Sequence, residues 1–224
     1  MHALEVFQHF EHLPVFSLSD VNQIINNRMY AKKFLSNILH QGKIFKIKRN
    51  AYTLHADSFL VSTFLVKPSY ISSISALSYH KLITQIPKEI FCATSKHTKR
   101  FAFTEPIHFF HTKYFFGFAI VDYEQFSIPV ADPEKAIIDS FSLVPVSLFE
   151  EAFENIDEQR MIEYLRKIKK SSIIKRVGYL LEKHGYKVYD TLKHLINYKY
   201  IPLDPLIKQK GAKDKKWGII INTP

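Results

Sequence analysis

Seven lysines and arginines, and not one aspartate or glutamate, lie between Val21 and Ala56: Arg28, Lys32, Lys33, Lys43, Lys46, Lys48 and Arg49. Each phosphate neutralised by such a cation releases condensed counterions, so an acid-free basic run is what affinity for a nucleic-acid backbone requires. A merely solvated face ordinarily carries both signs. Tyr30, Ser36, Asn37, His40, Gln41 and Asn50 are interleaved with the cations, and such side chains partner base edges or phosphates. The expected groove contacts are Lys32, Lys33, Asn37 and Gln41. The expected phosphate contacts are Lys46, Lys48 and Arg49, with Arg28, Tyr30, Ser36, His40, Lys43 and Asn50 completing a DNA-binding surface. A second cluster, Arg166, Lys167, Lys169, Lys170, Lys175 and Arg176, surrounds Ser171-Ser172. It reads either as a solvated corner between helices or as a second surface for nucleic acid or a partner.

Other chemistries find less support. Glu134, Lys135 and Asp139 invite a catalytic reading, but they follow Asp132-Pro133, and a helix start accounts for Asp132 as N-cap and Glu134 beside the positive helix end. No glutamate is followed two residues later by lysine, so the Glu-x-Lys of a magnesium-dependent nuclease core is missing. The six glycines, at 42, 117, 178, 185, 211 and 218, assemble no phosphate-cradling loop and no Gly-x-Ser-x-Gly elbow. His9/His12 and His108/His111 are three apart without a third ligand beside them, and Cys92 is the single cysteine. The expectation is a non-enzyme without cofactor, metal or internal disulfide.

The elements that would position the cations can be read from periodicity. Residues 2–11 repeat apolar side chains at helical spacing, and Pro14 ends that helix. Ser19 is the expected N-cap of a second helix to about Asn26, and Asn26-Asn27 makes a turn. A third helix, Met29 to Gln41, places Ala31, Phe34, Leu35, Ile38 and Leu39 on one face and the polar set on the other. Gly42 should close it in the left-handed conformation. Lys43–Lys48 then reads as a strand, Arg49-Asn50 as a tight turn and Ala51–Leu54 as the return strand. Three helices and a basic hairpin make a winged helix, expected over residues 1–60.

Residues 61–224 read as a mixed domain, so the expected fold class is α+β. A helix capped by Ser69 opens it. Strand-like runs follow at 90–95, 100–104, 107–112, 116–123 and 126–131, suggesting a mostly antiparallel sheet, and helices follow at 147–155, 157–169, 172–184 and 189–198. Net charge is +10 but unevenly spread, with +7 over residues 21–56, −4 over 57–160 and +10 over 161–224. Two basic ends flank an acidic middle, which argues against a uniformly sticky protein. No apolar run approaches the roughly 18 residues needed to span a bilayer. The acidic, amphipathic start is unlike a signal peptide, so a cytoplasmic location is expected.

The run FSLSDV…FLSNILHQGKIFKIKRNAYTL resembles the N-terminal winged helix of the AbiEi family of antitoxins, type IV toxin–antitoxin components. The matching positions are Leu39, Gly42, Ile44, Lys46, Ile47, Arg49, Asn50 and Tyr52. Lys46 stands where arginine is common and Asn50 where glycine is usual. Both keep the physics, as a cation and as a residue that tolerates positive φ. The resemblance continues through Ser75–Leu82, through Val130-Ala131 and Glu134-Lys135-Ala136 to Asp139, and through Leu203-Asp204-Pro205 and Trp217 to Asn222. It implies a repressor that binds inverted repeats in double-stranded DNA at its own promoter. It further implies a second domain opposing a nucleotidyltransferase-like toxin without a stable complex. With no heptad in the chain, a monomer or weak dimer on DNA is expected. The alternatives are a protein-interaction module, or a stand-alone winged-helix transcription regulator with no toxin partner.

Overall fold

Helix α1 (Ala3–Glu11), α2 (Leu18–Ile25) and α3 (Arg28–His40) precede a hairpin of β1 (Phe45–Lys48) and β2 (Ala51–Thr53). The computed structural model describes residues 3–208 and 210–223; His2 and the side chains of residues 3–6, which belong to the expected first helix, lie outside the described set. Two compact units make up the α+β chain, and neither is one continuous stretch. The first comprises residues 1–71, 88–112 and 120–129, and the second comprises 72–87, 113–119 and 130–224.

In the first unit the winged-helix core is Phe10, Phe16, Val21, Ala31, Leu35, Ile38 and Ile44, with Phe34, Leu39 and Tyr52 partly buried against it. Phe10 and Phe16 stack at 4.3 Å, and Phe16 exchanges both backbone hydrogen bonds with Tyr52 at 2.8 Å. That bridge fastens the segment before α2 to the hairpin. The cap of α2 is Ser17, not the expected Ser19: the Ser17 hydroxyl accepts from Asp20 N–H while the Asp20 carboxylate accepts from Ser17 N–H. Asp20 stands three residues after Ser17, the spacing of a reciprocal capping box, and Ser19 has no such partner. Asn26 turns left-handed and Asn27 caps α3 by accepting from Tyr30 N–H at 3.0 Å. At the other end Gly42 N–H reaches the Leu39 carbonyl and Lys43 N–H the Ile38 carbonyl, with Gly42 at φ +67°. This is the glycine closure expected from the sequence.

Past the hairpin, α4 (Ser58–Leu65) starts at Asp57, whose carboxylate accepts from Phe59 and Leu60 N–H. The domain boundary expected near residue 60 falls inside this helix. The helix expected from Ser69 is instead a strand, β3 (Ser69–Ile71), followed by a shorter α5 (Ser73–Tyr79). The Ser69 hydroxyl donates back to the Val66 carbonyl and caps nothing. Tyr70 and Ile71 are both fully buried, and a strand buried on both faces shows no alternation to distinguish it from a helix. The six-stranded sheet runs β5-β6-β4-β3-β8-β7, where β4 is Ile90–Thr94, β5 Lys99–Phe101, β6 Ile107–His111, β7 Phe118–Tyr123 and β8 Phe126–Ala131. β3 pairs antiparallel with β4, β5 antiparallel with β6, and β4 parallel with β6.

The second unit is mainly helical. α6 (Pro133–Ser140) packs on α5 and α7 (Glu158–Ile168), and α8 (Ser171–Lys183) leads to a short α9 (Tyr189–Leu192). The helix expected over 147–155 is two 3₁₀ turns, Val146–Leu148 and Glu150–Asn155. The helix expected over 189–198 ends at Leu192, followed by a single 3₁₀ turn over Lys193–Leu195. A small sheet, β10 (Ala212–Asp214), β11 (Ile219–Ile221) and β9 (Ile201–Pro202), closes the chain. Among the described residues no helix is long and apolar enough to cross a membrane.

Candidate nucleic-acid interface

α3 buries Ala31, Leu35 and Ile38, which leaves Arg28, Lys32, Lys33, Ser36, Asn37, His40 and Gln41 exposed along its opposite side. At its start Met29 is 84% and Tyr30 58% exposed. The first turn carries Arg28 and no carboxylate. A cation at the positive end of a helix opposes the macrodipole, at about 0.3–1 kcal/mol. Helix stability therefore does not account for Arg28.

Three of the cations converge. Arg28 and Lys32, one turn apart on α3, line a cleft of about 630 Å³ together with Arg49 from the hairpin tip. The rest of its wall is Ser19, Asn22 and Gln23 from α2 and Asn50, together with Leu18 and Tyr52. The carbonyl oxygen of the Asn22 side chain is buried there without a hydrogen-bond partner. The hairpin tip is held against α2 by Asn50, which sits at φ +60° and accepts from Leu18 N–H at 3.0 Å. Asn50 thus supplies both the left-handed turn and a tie that glycine could not make. The sequence reading missed Ser19, Asn22 and Gln23. Their i, i+3, i+4 spacing on α2 was the available signal, and it defines a polar stripe on the helix that precedes α3.

The other expected phosphate ligands divide. Lys46 and Arg49 are exposed, as is Lys43, whose ammonium lies 6.0 Å from the Phe7 ring. Lys48 is a correction: its Nζ donates to the Leu65 carbonyl at 2.6 Å and lies 5.3 Å from the Phe101 ring. A β-bulge between Lys46 and Lys48 turns this side chain inward, away from the face that period-two alternation would give it. Burial, aided by nearby Lys99, lowers the Lys48 ammonium below the usual lysine range.

The second expected basic cluster also loses members. Arg166, Lys167, Lys169 and Lys170 are exposed, but Lys175 is fully buried, with Nζ on the Asn197 side chain at 3.0 Å and on the Lys199 carbonyl. Desolvation lowers that ammonium. Arg176 is half-buried and donates through Nε to the Pro202 carbonyl at 2.9 Å; burial lowers its guanidinium too, partly offset by Asp204. Arg166 and Lys167 occupy the last turn of α7, where cations complement the helix dipole.

The Glu134–Asp139 segment is interior. Asp132 stands at the N-cap position of α6 without capping it, and its carboxylate accepts from the Tyr164 hydroxyl at 2.5 Å. Desolvation, with that hydrogen bond, raises the Tyr164 phenol. Glu134 is buried and accepts from Asp157 N–H at 2.8 Å, tying α6 to the start of α7. Lys135 Nζ meets Asp139 Oδ1 at 2.5 Å, while Asp139 Oδ2 accepts from Ser72 at 2.8 Å. Both residues stand at the helix start as expected, Asp132 at the N-cap and Glu134 in the first turn, but the Asp132 side chain caps nothing and both carboxylates join elements distant in sequence. Burial lowers the Lys135 ammonium against the opposing pull of Asp139.

His108 and His111 have different partners, with His111 Nδ1 on the Lys96 carbonyl and His108 beside Arg100 and Glu89. Among the described residues no three His, Cys, Asp or Glu side chains converge as a metal site.

The fold is similar to the crystal structure of RV2827C protein from Mycobacterium tuberculosis, with a TM-score of 0.69 over 92% of this chain and 86% of that chain. Identity between the two is 11%, so the likeness is one of fold. No protein-family model matches the chain, and no curated protein matches it.

Proposed function

We propose that this protein is a DNA-binding transcriptional repressor of the AbiEi-like antitoxin kind. The observation that carries the reading is the convergence of Arg28, Lys32 and Arg49 on one polar cleft beside the exposed face of α3. In the proposed complex α3 enters the major groove, and its exposed Lys33, Ser36, Asn37 and Gln41 meet base edges. The cleft takes a backbone phosphate, and Lys46 and Lys43 extend the cationic track. Lys48 and the buried Lys175 have no part in it. By the resemblance of the sequence, the operator consists of inverted repeats at the protein's own promoter, and the second unit opposes a nucleotidyltransferase-like toxin without a stable complex.

A gel shift with the native upstream DNA against a scrambled duplex, across a salt series, tests the DNA-binding half. Preferential retention of the native fragment, with affinity falling steeply with salt, is expected. Equal retention of both fragments refutes a specific repressor. The antitoxin half predicts that the adjacent gene arrests growth when expressed alone and is relieved by this chain. An adjacent gene without that effect leaves a stand-alone regulator.

A further inference from the structure

The second unit holds another cleft, of about 500 Å³, between α9, the turn before β9 and the strand connection before β11. Its walls carry Tyr189, Tyr198 and Tyr200 beside Lys193, Lys215 and Lys216, over a floor formed by the buried Trp217. Tyr198 is fully exposed and has no ring or cation partner among the described residues. The turn that carries it is nevertheless fixed. Asn197 Oδ1 accepts from the buried Lys175 ammonium and from Lys199 N–H, the Lys199 carbonyl accepts from the same ammonium, and Asn197 N–H donates to Ser171. An aromatic ring held out into water on an immobilised turn contributes nothing to the core, and a flat ligand that stacks on it meets a platform already ordered.

We propose that this cleft binds single-stranded nucleic acid, with a base stacked on Tyr198 and the adjoining backbone beside Lys215. Charge alone does not define the occupant. Lys193 already faces Asp190 at 2.8 Å and Lys216 faces Glu182 at 2.8 Å, so an acidic peptide meets little free positive charge here. Stacking supplies the selectivity: bases in a single strand expose their faces, and those of a duplex do not. The site is independent of the cleft at Arg28 and Arg49, and it holds or fails separately from the repressor reading.

The test uses the full-length chain with Arg28→Ala/Lys32→Ala/Arg49→Ala, so that duplex binding by α3 does not contribute. Fluorescein-labelled 12-nucleotide RNA, the same DNA strand and its duplex are titrated by anisotropy at about 50 mM salt. Both single strands are expected to bind more tightly than the duplex; binding of the RNA strand alone supports the site and adds recognition of the 2′-hydroxyl. Tyr198→Ala, which removes no packing, is expected to weaken binding roughly 5- to 150-fold, and Tyr198→Phe to preserve it. Absence of single-strand binding overturns the proposal, as does a duplex bound equally well. So does a Tyr198→Ala variant within twofold of its parent, or displacement by poly-glutamate as effective as by unlabelled strand.

Discussion

Lys48 and Arg49 are neighbours in sequence with the same charge, and the structure sends them to different fates. Arg49 Ala-substitution removes an exposed cation from the cleft, and Lys48→Met removes an ammonium already bonded to the Leu65 carbonyl at 2.6 Å. For duplex DNA the logarithm of affinity falls with that of salt by about 0.9 per phosphate contact. Losing Arg49 should therefore flatten the slope by about 0.9. Between 50 and 200 mM salt, the advantage of the parent protein over Arg49→Ala should shrink by about 3.5-fold. The triple variant Arg28→Ala/Lys32→Ala/Arg49→Ala should flatten it by about 2.7, shrinking that advantage about 40-fold. Lys48→Met should leave the slope unchanged. Its effect belongs to folding instead: a buried carbonyl loses its donor, at about 1–3 kcal/mol, read as a lower urea midpoint. Fluorescence anisotropy on operator DNA at four salt concentrations measures both slopes. If Lys48→Met flattens the slope as much as Arg49→Ala does, the hairpin does not present these side chains as described, and the cleft is not the phosphate seat.

Three other outcomes follow from the interior. Lys135→Met or Asp139→Asn each leaves a buried partner uncompensated and should cost about 3–5 kcal/mol in urea unfolding, whereas Lys135→Met/Asp139→Leu should recover part of that loss; single variants within about 1 kcal/mol of the parent would contradict a buried pair. A Cβ at Gly178 would lie 2.2 Å from Trp217 Cη2, and the indole is anchored by its Nε1–H to Glu182 at 2.8 Å. Gly178→Ala should thus destabilise by about 1–3 kcal/mol or more and red-shift the emission of the single tryptophan; an unchanged spectrum and melt would refute that packing. Burial pushes the Cys92 thiol up to about 12, so native protein should resist alkylation at pH 8 and react on unfolding. The sign for stability follows: above about pH 9 the unfolded thiol ionises while the folded one keeps its proton, so stability falls as pH rises toward 12. Cys92→Ala should show a shallower alkaline decline, and an equal decline would remove Cys92 as its cause.

The winged helix was legible because every local signal there agrees. The i, i+3, i+4, i+7 stripe of α3, the Asn26-Asn27 turn and the Gly42 closure each specify the same boundaries, and all appear in the structure. The Ser17 box was legible too, in the three-residue spacing to Asp20, but Ser19 drew the cap toward itself. β3 and α4 were hidden for a different reason. Ser58–Leu65 is buried around most of its circumference, and Tyr70-Ile71 on both faces, so neither shows a polar side from which a period could be read. Asp57, which accepts from two N–H groups of α4, was the overlooked mark of that helix. Asp132 and Glu134 were legible in position but not in partner. They stand at a helix start as the sequence indicates, yet their side chains bond Tyr164 and Asp157, 32 and 23 residues away.

The same distance problem governs how charge should be counted. Residues 161–224 carry a larger net positive charge than residues 21–56, and by that measure the C-terminal segment is the stronger polyanion site. Committed side chains narrow that difference. In the C-terminal segment Lys175 is buried on Asn197, Arg176 bonds the Pro202 carbonyl, and Lys183, Lys193 and Lys216 face Glu150, Asp190 and Glu182. Between Val21 and Ala56, Lys48 is the cation drawn into a backbone hydrogen bond, and Arg28, Lys32, Lys33, Lys46 and Arg49 face solvent with no carboxylate among them in sequence. Counterion release depends on cations free to approach phosphate, not on their total. On the proposed reading, the steep salt dependence comes from α3 and its hairpin, where Arg28, Lys32 and Arg49 converge on one cleft. In the C-terminal cleft two of the three lysines, Lys193 and Lys216, are already matched to acids, and Lys216 and Lys213 lie over the Tyr189 and Tyr200 rings, so the proposed stacking rests on Tyr198.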